Sequence, residues 1–282
     1  MRYLNSITII GIAVVLFSCT SEPNKKESSN SNPKEDVKVE EKSSSKTTSK
    51  VEVKSDLEKL NITGNIKSFT ESNYRAIIRS GEIRKGSLET RKILLFDENG
   101  NQNEIKTLNS KGAIESKSTY SYDENGNKTQ YSLFKSDGSL DYKSSFKYDD
   151  NGNLIEETAN YLDGSLFYKA SFGYDENGNQ TEYVLHNLLG EQIRKINYLY
   201  DDQGNQIEEN HYDAKGNLTH KYTYKYDEKR NKVEHSAYNP DNSFRGSLTY
   251  KYEFDSSGNW VKKTTYKNDK AIEITERVIE FY

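Results

Sequence analysis

Residues 122–153 read YDENGNKTQYSLFKSDGSLDYKSSFKYDDNGN. The stretch opens on Tyr122-Asp123-Glu124-Asn125-Gly126-Asn127 and ends, 26 residues later, on the near copy Tyr148-Asp149-Asp150-Asn151-Gly152-Asn153. In the second half, Leu140, Tyr142, Phe146 and Tyr148 share one parity, and Asp141, Lys143, Lys147 and Asp149 share the other. A period of two sends alternate side chains to opposite faces of a strand. The Tyr, Phe and Thr content agrees, and no helical period competes past residue 60.

Working outward, the aromatic-Asp pair recurs at Phe96-Asp97, Tyr122-Asp123, Tyr148-Asp149, Tyr174-Asp175, Tyr200-Asp201, Tyr226-Asp227 and Phe254-Asp255, with five intervals of 26 residues and one of 28. A glycine column at Gly112, Gly138, Gly164, Gly190 and Gly216 keeps the same period. A fixed period of this size marks a repeat architecture, here with two turns per unit. The expectation is about eight 26-residue hairpin units and sixteen strands.

Asn125-Gly126 and Asp137-Gly138 are dipeptides favoured in two-residue type I′ loops, which are therefore expected at both turns. Two-residue loops throughout turn the odd positions of each first strand to the aromatic face: Thr129, Tyr131 and Leu133; Ile155, Ala159 and Tyr161; Thr181, Tyr183 and Leu185. A three-residue loop at one turn alone would flip them. The other face carries Lys117, Lys143, Lys169, Lys195 and Lys221 with Glu156, Glu182, Glu208 and Glu234. Lys169, Lys195 and Lys221 each fall diagonally across from a Glu 13 residues earlier. Such exposed pairs contribute at most about 0.2–1 kcal/mol each, so this face is read as solvated.

Sixteen strands at about 4.8 Å span about 77 Å if flat. Twist accumulates over such an array, so the expected fold is all-β: an antiparallel β-hairpin repeat array forming a strongly twisted, curled sheet with its tyrosines inward. A closed sixteen-stranded barrel is disfavoured, because that size encloses more space than these side chains fill.

Asp-x-Asn-x-Asn in YDENGN has the spacing of a calcium loop, but the match stops there. Calcium loops need Gly at the sixth position and a bidentate Glu at the twelfth. Counted from Asp123, those positions are Lys128 and Phe134. The motif is read as a bend in which Asp123 bonds a turn N–H. His186, His211, His220 and His235 lie at unrelated repeat positions, without a metal, nucleophile or phosphate-loop motif beside them. They are read as ordinary strand residues. No catalytic residue, cofactor or metal is expected. Trp260 is read as a packing residue near the end of the sheet.

Two departures from the repeat locate the candidate ligand contacts. Lys229-Arg230 replaces Asn-Gly, so a changed loop shape is expected there. In the same 28-residue interval, residues 239–246 are expected to form a longer loop around Pro240. Tyr238, Asn242, Phe244 and Arg245 are the contacts it offers, with Phe244 stacking and Arg245 pairing with an acidic group.

Residues 1–18 place Arg2 before an 11-residue apolar run from Ile7 to Phe17, the form of a secretion signal. Leu16-Phe17-Ser18-Cys19 resembles the lipobox of bacterial lipoproteins, which implies cleavage before Cys19 and diacylglycerol on its sulfur. Cys19 is the only cysteine, so no disulfide supports the domain. Residues 19–55 are expected to be the lipidated cysteine and a disordered Ser/Lys/Glu-rich tether, and 56–282 the repeat domain. The net charge of −4 and the lack of a basic block argue against nucleic acid as a partner.

YLYDDQGNQ and SYDENGNKT, with HYDAKGNLT and YKYD, resemble the YD repeats of the RHS family over roughly residues 90–260. The resemblance implies an exported or surface protein built from curling antiparallel sheets, with carbohydrate binding among the family's roles. The expected function is a lipid-anchored envelope module, in the outer membrane, that binds a glycan or an envelope protein. A structural or immunity-type lipoprotein acting through a partner chain is the alternative.

Overall fold

The computed structural model describes residues 55–282. The signal segment, Cys19 and the tether up to residue 54 lie outside the described residues. A one-turn helix, α1 (Asp56–Lys59), precedes sixteen strands. The first four are β1 (Ile66–Arg79), β2 (Glu82–Phe96), β3 (Gln102–Asn109) and β4 (Ile114–Tyr122). Then come β5 (Lys128–Lys135), β6 (Leu140–Tyr148), β7 (Leu154–Tyr161), β8 (Leu166–Tyr174), β9 (Gln180–His186) and β10 (Gln192–Tyr200). The last six are β11 (Gln206–Asp213), β12 (Leu218–Tyr226), β13 (Lys232–Tyr238), β14 (Phe244–Phe254), β15 (Trp260–Lys267) and β16 (Lys270–Phe281).

Each strand pairs antiparallel with its sequence neighbours, and β1 pairs with β16, from Ile66 opposite Phe281 to Arg75 opposite Glu273. The sheet is therefore a closed barrel. The sixteen antiparallel strands match the sequence reading; the open curled sheet does not. An open array leaves two rows of unpaired N–H and C=O groups at its edges, and closure satisfies both. The strands that meet are long, at 14 and 12 residues, and carry none of the YD letters. Rows of aromatic rings also line the interior. Tyr131, Tyr142 and Tyr168 contact one another along the inner wall at ring-centroid distances of 5.7 and 6.1 Å, and all three are buried.

The turns differ from expectation in a way that cancels. Gly126 has φ +82°, while Asn125 is not left-handed, and the Gly126 N–H donates to the Asp123 carbonyl at 3.1 Å. The Asp123 N–H donates to the Asn127 carbonyl at 2.9 Å. This is a three-residue loop, a type I turn with Gly in a G1 bulge, and the Lys135–Ser139 turn repeats it. Because both turns gain a residue together, the odd positions Tyr131, Ala159 and Tyr183 stay on the inner face, where all three are buried.

The two departures keep this turn as well. Arg230 takes the glycine position with φ +64°, and its Nε donates to Asn205 Oδ1 at 2.8 Å, offsetting the roughly 1–2 kcal/mol cost of a left-handed side chain. Asn239–Ser243 is the same turn with Asn242 at φ +63°. The loop around Pro240 is no longer than the others. The two extra residues lengthen β14 to 11 residues, against 9 in β12.

The repeat letters now have physical roles. Asp123 Oδ1 accepts the N–H groups of Asn125 and Asn127, each at 2.9 Å, and its Oδ2 accepts Asn127 Nδ2 at 3.0 Å. The carboxylate is committed to the turn, as the reading of a bend required. The tyrosine before it reaches 20 residues back to a carbonyl of the preceding unit: Tyr148 to Lys128, Tyr200 to Gln180, Tyr226 to Gln206 and Tyr252 to Lys232, at 2.7–2.9 Å. Each hydroxyl locks one hairpin to the next.

These Asp turns define one end of the barrel, and residues 55–65 lie across it. Ser55 and Glu58 form a capping box on α1. Asp56 accepts from the Gln102 N–H at 3.1 Å and the Tyr122 hydroxyl at 2.6 Å, and pairs with Lys128 at 3.1 Å. Further along, Asn61 Nδ2 donates to the Lys229 carbonyl, and the Thr63 N–H donates to Asn259 Oδ1. Leu57, Ile62, Ile66, Phe69 and Phe96 form a buried cluster beneath the strap. This is the plug end; the Gly112-type turns form the rim end.

Candidate binding site on the inner wall

The inner wall changes character around its circumference. The column holding Tyr142 on β6 and Tyr168 on β8 continues as Arg194 on β10, His220 on β12 and Gly246 on β14. On the first strands, Tyr131, Glu157, Tyr183, Glu209 and His235 share a column, and Leu133, Ala159, Leu185, His211 and Ala237 share the next. From β10 onward, Arg194 and His220 take the place of the rings in the Tyr142 column, and Glu209, His211 and His235 stand in the first-strand columns.

Cross-strand register assembles them. Ile196, His211 and His220 lie side by side across β10, β11 and β12; Tyr198, Glu209, Tyr222, Ala237 and Gly246 form the adjacent row. Arg194 Nη2 donates to His211 Nδ1 at 2.9 Å. That assigns the ring proton to Nε2, which donates to Glu209 Oε1. The other oxygen, Glu209 Oε2, accepts the Tyr224 hydroxyl at 2.7 Å and Gln206 Nε2 at 3.3 Å. Glu209 is 1% exposed, and burial alone pushes its carboxyl up. The His211, Tyr224 and Gln206 bonds outweigh burial and hold it below the usual range. Burial raises the Tyr224 hydroxyl, and the Glu209 charge raises it further.

Lys232 lies 3.7 Å from the centre of the Tyr224 ring, and burial brings its ammonium down to about 8. Burial lowers His235, and so does Lys232 beside it. His220 is half-buried, and its pKa is lowered by desolvation first, then by Arg245, His211 and Arg194. The Tyr222 ring is parallel to His220 within 2°, at a centroid distance of 6.3 Å.

Of the residues singled out from sequence, Tyr238 and Phe244 pack edge-on at 5.7 Å at the rim end. Phe244 is 61% exposed. Asn242 Oδ1 accepts Lys221 Nζ at 2.7 Å, and the same ammonium lies over the Tyr238 ring. Asn242 and Tyr238 thus hold a rim lysine. Arg245 occupies the bulge between Tyr238 and Ala237. His211, His220 and His235 are not the scattered strand residues expected, because their different repeat phases become neighbours across β11, β12 and β13. Glu157 and Glu209 were also missed; their signal is a carboxylate at an inward parity. Trp260 packs against Tyr252, and the Arg277 guanidinium lies 3.3 Å from its ring centre.

On the outer face, Lys147 and Lys169 both pair with Glu156, at 2.8 and 2.6 Å. Lys225 pairs with Glu234 and Lys262 with Glu253, at 2.9 and 2.7 Å. Of the diagonal pairs read from sequence, Lys169–Glu156 and Lys195–Glu182 form, whereas Lys221 turns to Asn242.

No protein-family model and no curated protein matches the sequence. Among solved structures, the chain is similar to a porin-like protein from Bacteroides uniformis ATCC 8492, at 11% identity and a TM-score of 0.53 over 77% of this chain and 99% of that one. It is also similar to a porin-like protein from Bacteroides vulgatus ATCC 8482, at 13% identity over 77% and 98% of the two chains, TM-score 0.43. A putative outer membrane lipoprotein-sorting protein domain from Vibrio parahaemolyticus follows at 12% identity over 79% and 86%, TM-score 0.27. The first likeness is one of fold.

Proposed function

We propose that this chain is a non-catalytic binding module of the cell envelope, related to YD-repeat proteins, anchored by lipid on Cys19 and presenting its rim end to an envelope glycan or protein. The observation that carries this reading is the contrast between the ends. The plug end is covered by the strap, which bonds to Gln102, Lys128, Lys229 and Asn259. The rim end exposes Leu162, Leu188, Leu189 and Phe244, at 76, 64, 82 and 61%. Large side chains held out on rigid hairpins are how a scaffold presents contacts.

The outer wall supports a water-facing barrel. A lipid-facing lysine costs about 2–4 kcal/mol at the bilayer midplane, and a membrane barrel carries an apolar band where this one carries Lys–Glu pairs. Membrane attachment therefore falls to the acyl chains, which bind at about 0.8 kcal/mol per buried methylene. Ser55 enters at the plug end, so the rim faces away from the tether's point of attachment.

The test has two arms. Cys19→Ala should leave the membrane fraction; its retention after a carbonate wash overturns the anchor. A glycan array beside a pull-down from envelope extract should yield a partner that the double variant Leu188→Ser, Leu189→Ser holds more weakly. A partner held equally well by that variant moves the contact off the rim.

A further inference from the structure

We propose that the inner wall from β10 to β14 holds a subsite for an acidic sugar, whose carboxylate is taken by Arg245 and Arg194 and whose ring lies on Tyr222 and His220. The inference rests on the rim-binding reading and names one ligand class for it.

The first observation is a missing side chain. Where Tyr142, Tyr168, Arg194 and His220 stand in successive units, β14 has Gly246, and a Cβ built there meets nothing within 4 Å. Its neighbour across the ladder is Ala237, which faces Tyr222 on the other side. Two small residues in one row leave a notch beside Tyr222.

The second is charge. Arg245 is exposed and adjoins the notch; the positions equivalent to it in earlier units are Asp141, Phe167, Ile193 and Thr219. Arg194 is held from behind through His211 and the buried Glu209. Arg75, Arg84 and Arg277 each have a carboxylate partner, and Arg91 and Arg230 are held by Ser72 and Asn205. Among the described residues, no ion pair of Arg79, Arg194 or Arg245 is present. Glu209 lies in the same row, but both its oxygens are engaged by His211, Tyr224 and Gln206. Two guanidinium forks without a carboxylate, beside open space, match an oxyanion, and their planar geometry suits a carboxylate.

The third concerns the rest of the ligand. Tyr222 and His220 hold their rings parallel on the inner face of β12, and the flat face of such a ring suits the apolar face of a pyranose. A peptide recognised by strand addition needs an unpaired edge, and the closed sheet has none.

The experiment is a titration of the full chain, in detergent micelles, with trigalacturonic acid, the matched neutral galactotriose and inorganic phosphate, by calorimetry and by the imidazole signals of His220. The acidic trimer is expected to bind at least tenfold more tightly than the neutral one and to shift His220 while leaving His186 in place. Arg245→Gln should weaken it at least tenfold with the melting temperature unchanged. Arg245→Lys should recover part of the loss, since it restores charge without the fork. Equal binding of the two trimers, phosphate binding as tight as the acid, or full affinity in Arg245→Gln each overturns the subsite. If that happens while Leu188→Ser, Leu189→Ser still loses its envelope partner, the rim-binding function stands and only the sugar assignment falls.

Discussion

The two ends of the barrel are built from turns of the same geometry and do different things with them. At the plug end, Asp123, Asp149, Asp175, Asp201 and Asp227 each accept two turn N–H groups, and the Asn four residues on returns a bond to the same carboxylate. Of the three positions between them, the second departs from Asn in three units, where Gln203, Lys229 and Ser257 occupy it. At the rim end the same backbone turn carries Ser110-Lys111, Leu162-Asp163, Leu188-Leu189 and Pro240-Asp241 at its tips. Uniform letters accompany a role that these units share, namely the Asp–Asn network that holds each plug-end turn. At the rim, Asn109, Asn187 and Asp213 accept turn N–H groups as the plug-end Asp residues do, and the varied letters fall on the tips, where large side chains such as Leu162, Leu188 and Leu189 are exposed.

The largest effect should come from removing buried surface at the plug. Leu57→Ala, in the cluster under the strap, should cost about 2–5 kcal/mol in urea denaturation, whereas Leu189→Ser at the rim should stay within about 0.5 kcal/mol. Equal losses would erase the distinction between the ends.

A cation at the plug end gives the next effect. Lys232 titrates near 8 in the folded chain against 10.5 for an ordinary lysine. Between those values the unfolded chain binds more protons, so stability rises with pH. Below pH 8 the penalty for burying the ammonium is fully present. The interior tyrosines, raised by burial, act in the opposite sense above pH 10, as the unfolded chain ionises first. From pH 8 to 10 the gain should be on the order of 1–3 kcal/mol, and Lys232→Met should flatten it. A wild-type curve already flat in this window would mean that the ammonium is hydrated.

A matched pair of turn asparagines sharpens the comparison further. Asn205 and Asn217 make the same bond to their Asp, but Asn205 is buried and also accepts from Arg230. Asn205→Ala should cost about 1–2 kcal/mol, and Asn217→Ala about 0.5, by the same denaturation assay. The smallest expected effect is none: calcium or a chelator should leave the melting temperature unchanged, because the Asp carboxylates already accept turn N–H groups. A rise of several degrees with calcium would reopen the motif as a metal loop.

The strands and their faces were legible because parity is a local property. It survived even the wrong loop length, since the two turns of a unit err together. Closure was not legible. It depends on β1 meeting β16 across almost the whole domain, and Ile66–Arg79 and Lys270–Phe281 share no repeat letters that announce the pairing. The inner site was half legible: Arg245 was flagged as a departure. The histidines were discounted for lacking a common phase, yet residues out of phase along the chain become partners when adjacent strands run in opposite directions, as His211 and His220 do across one hairpin. Glu157 and Glu209 sit on the aromatic parity, one residue from the outward Glu156 and Glu208, and a column of outward carboxylates conceals an inward one.

The 20-residue tyrosine lock carries a consequence for how such a chain can change over generations. A lock joins a hydroxyl in one hairpin to a carbonyl in the hairpin before it, so a small insertion between the two detaches the pair. The 28-residue interval of this chain tolerates its two additional residues because they lie beyond Tyr252, whose bond to Lys232 keeps the spacing. A whole duplicated unit brings its own tyrosine and its own carbonyl and leaves every existing lock intact. The circumference can therefore grow or shrink by tandem duplication or loss of an entire hairpin, in steps of two strands, while single-codon insertions are confined to stretches that no lock spans.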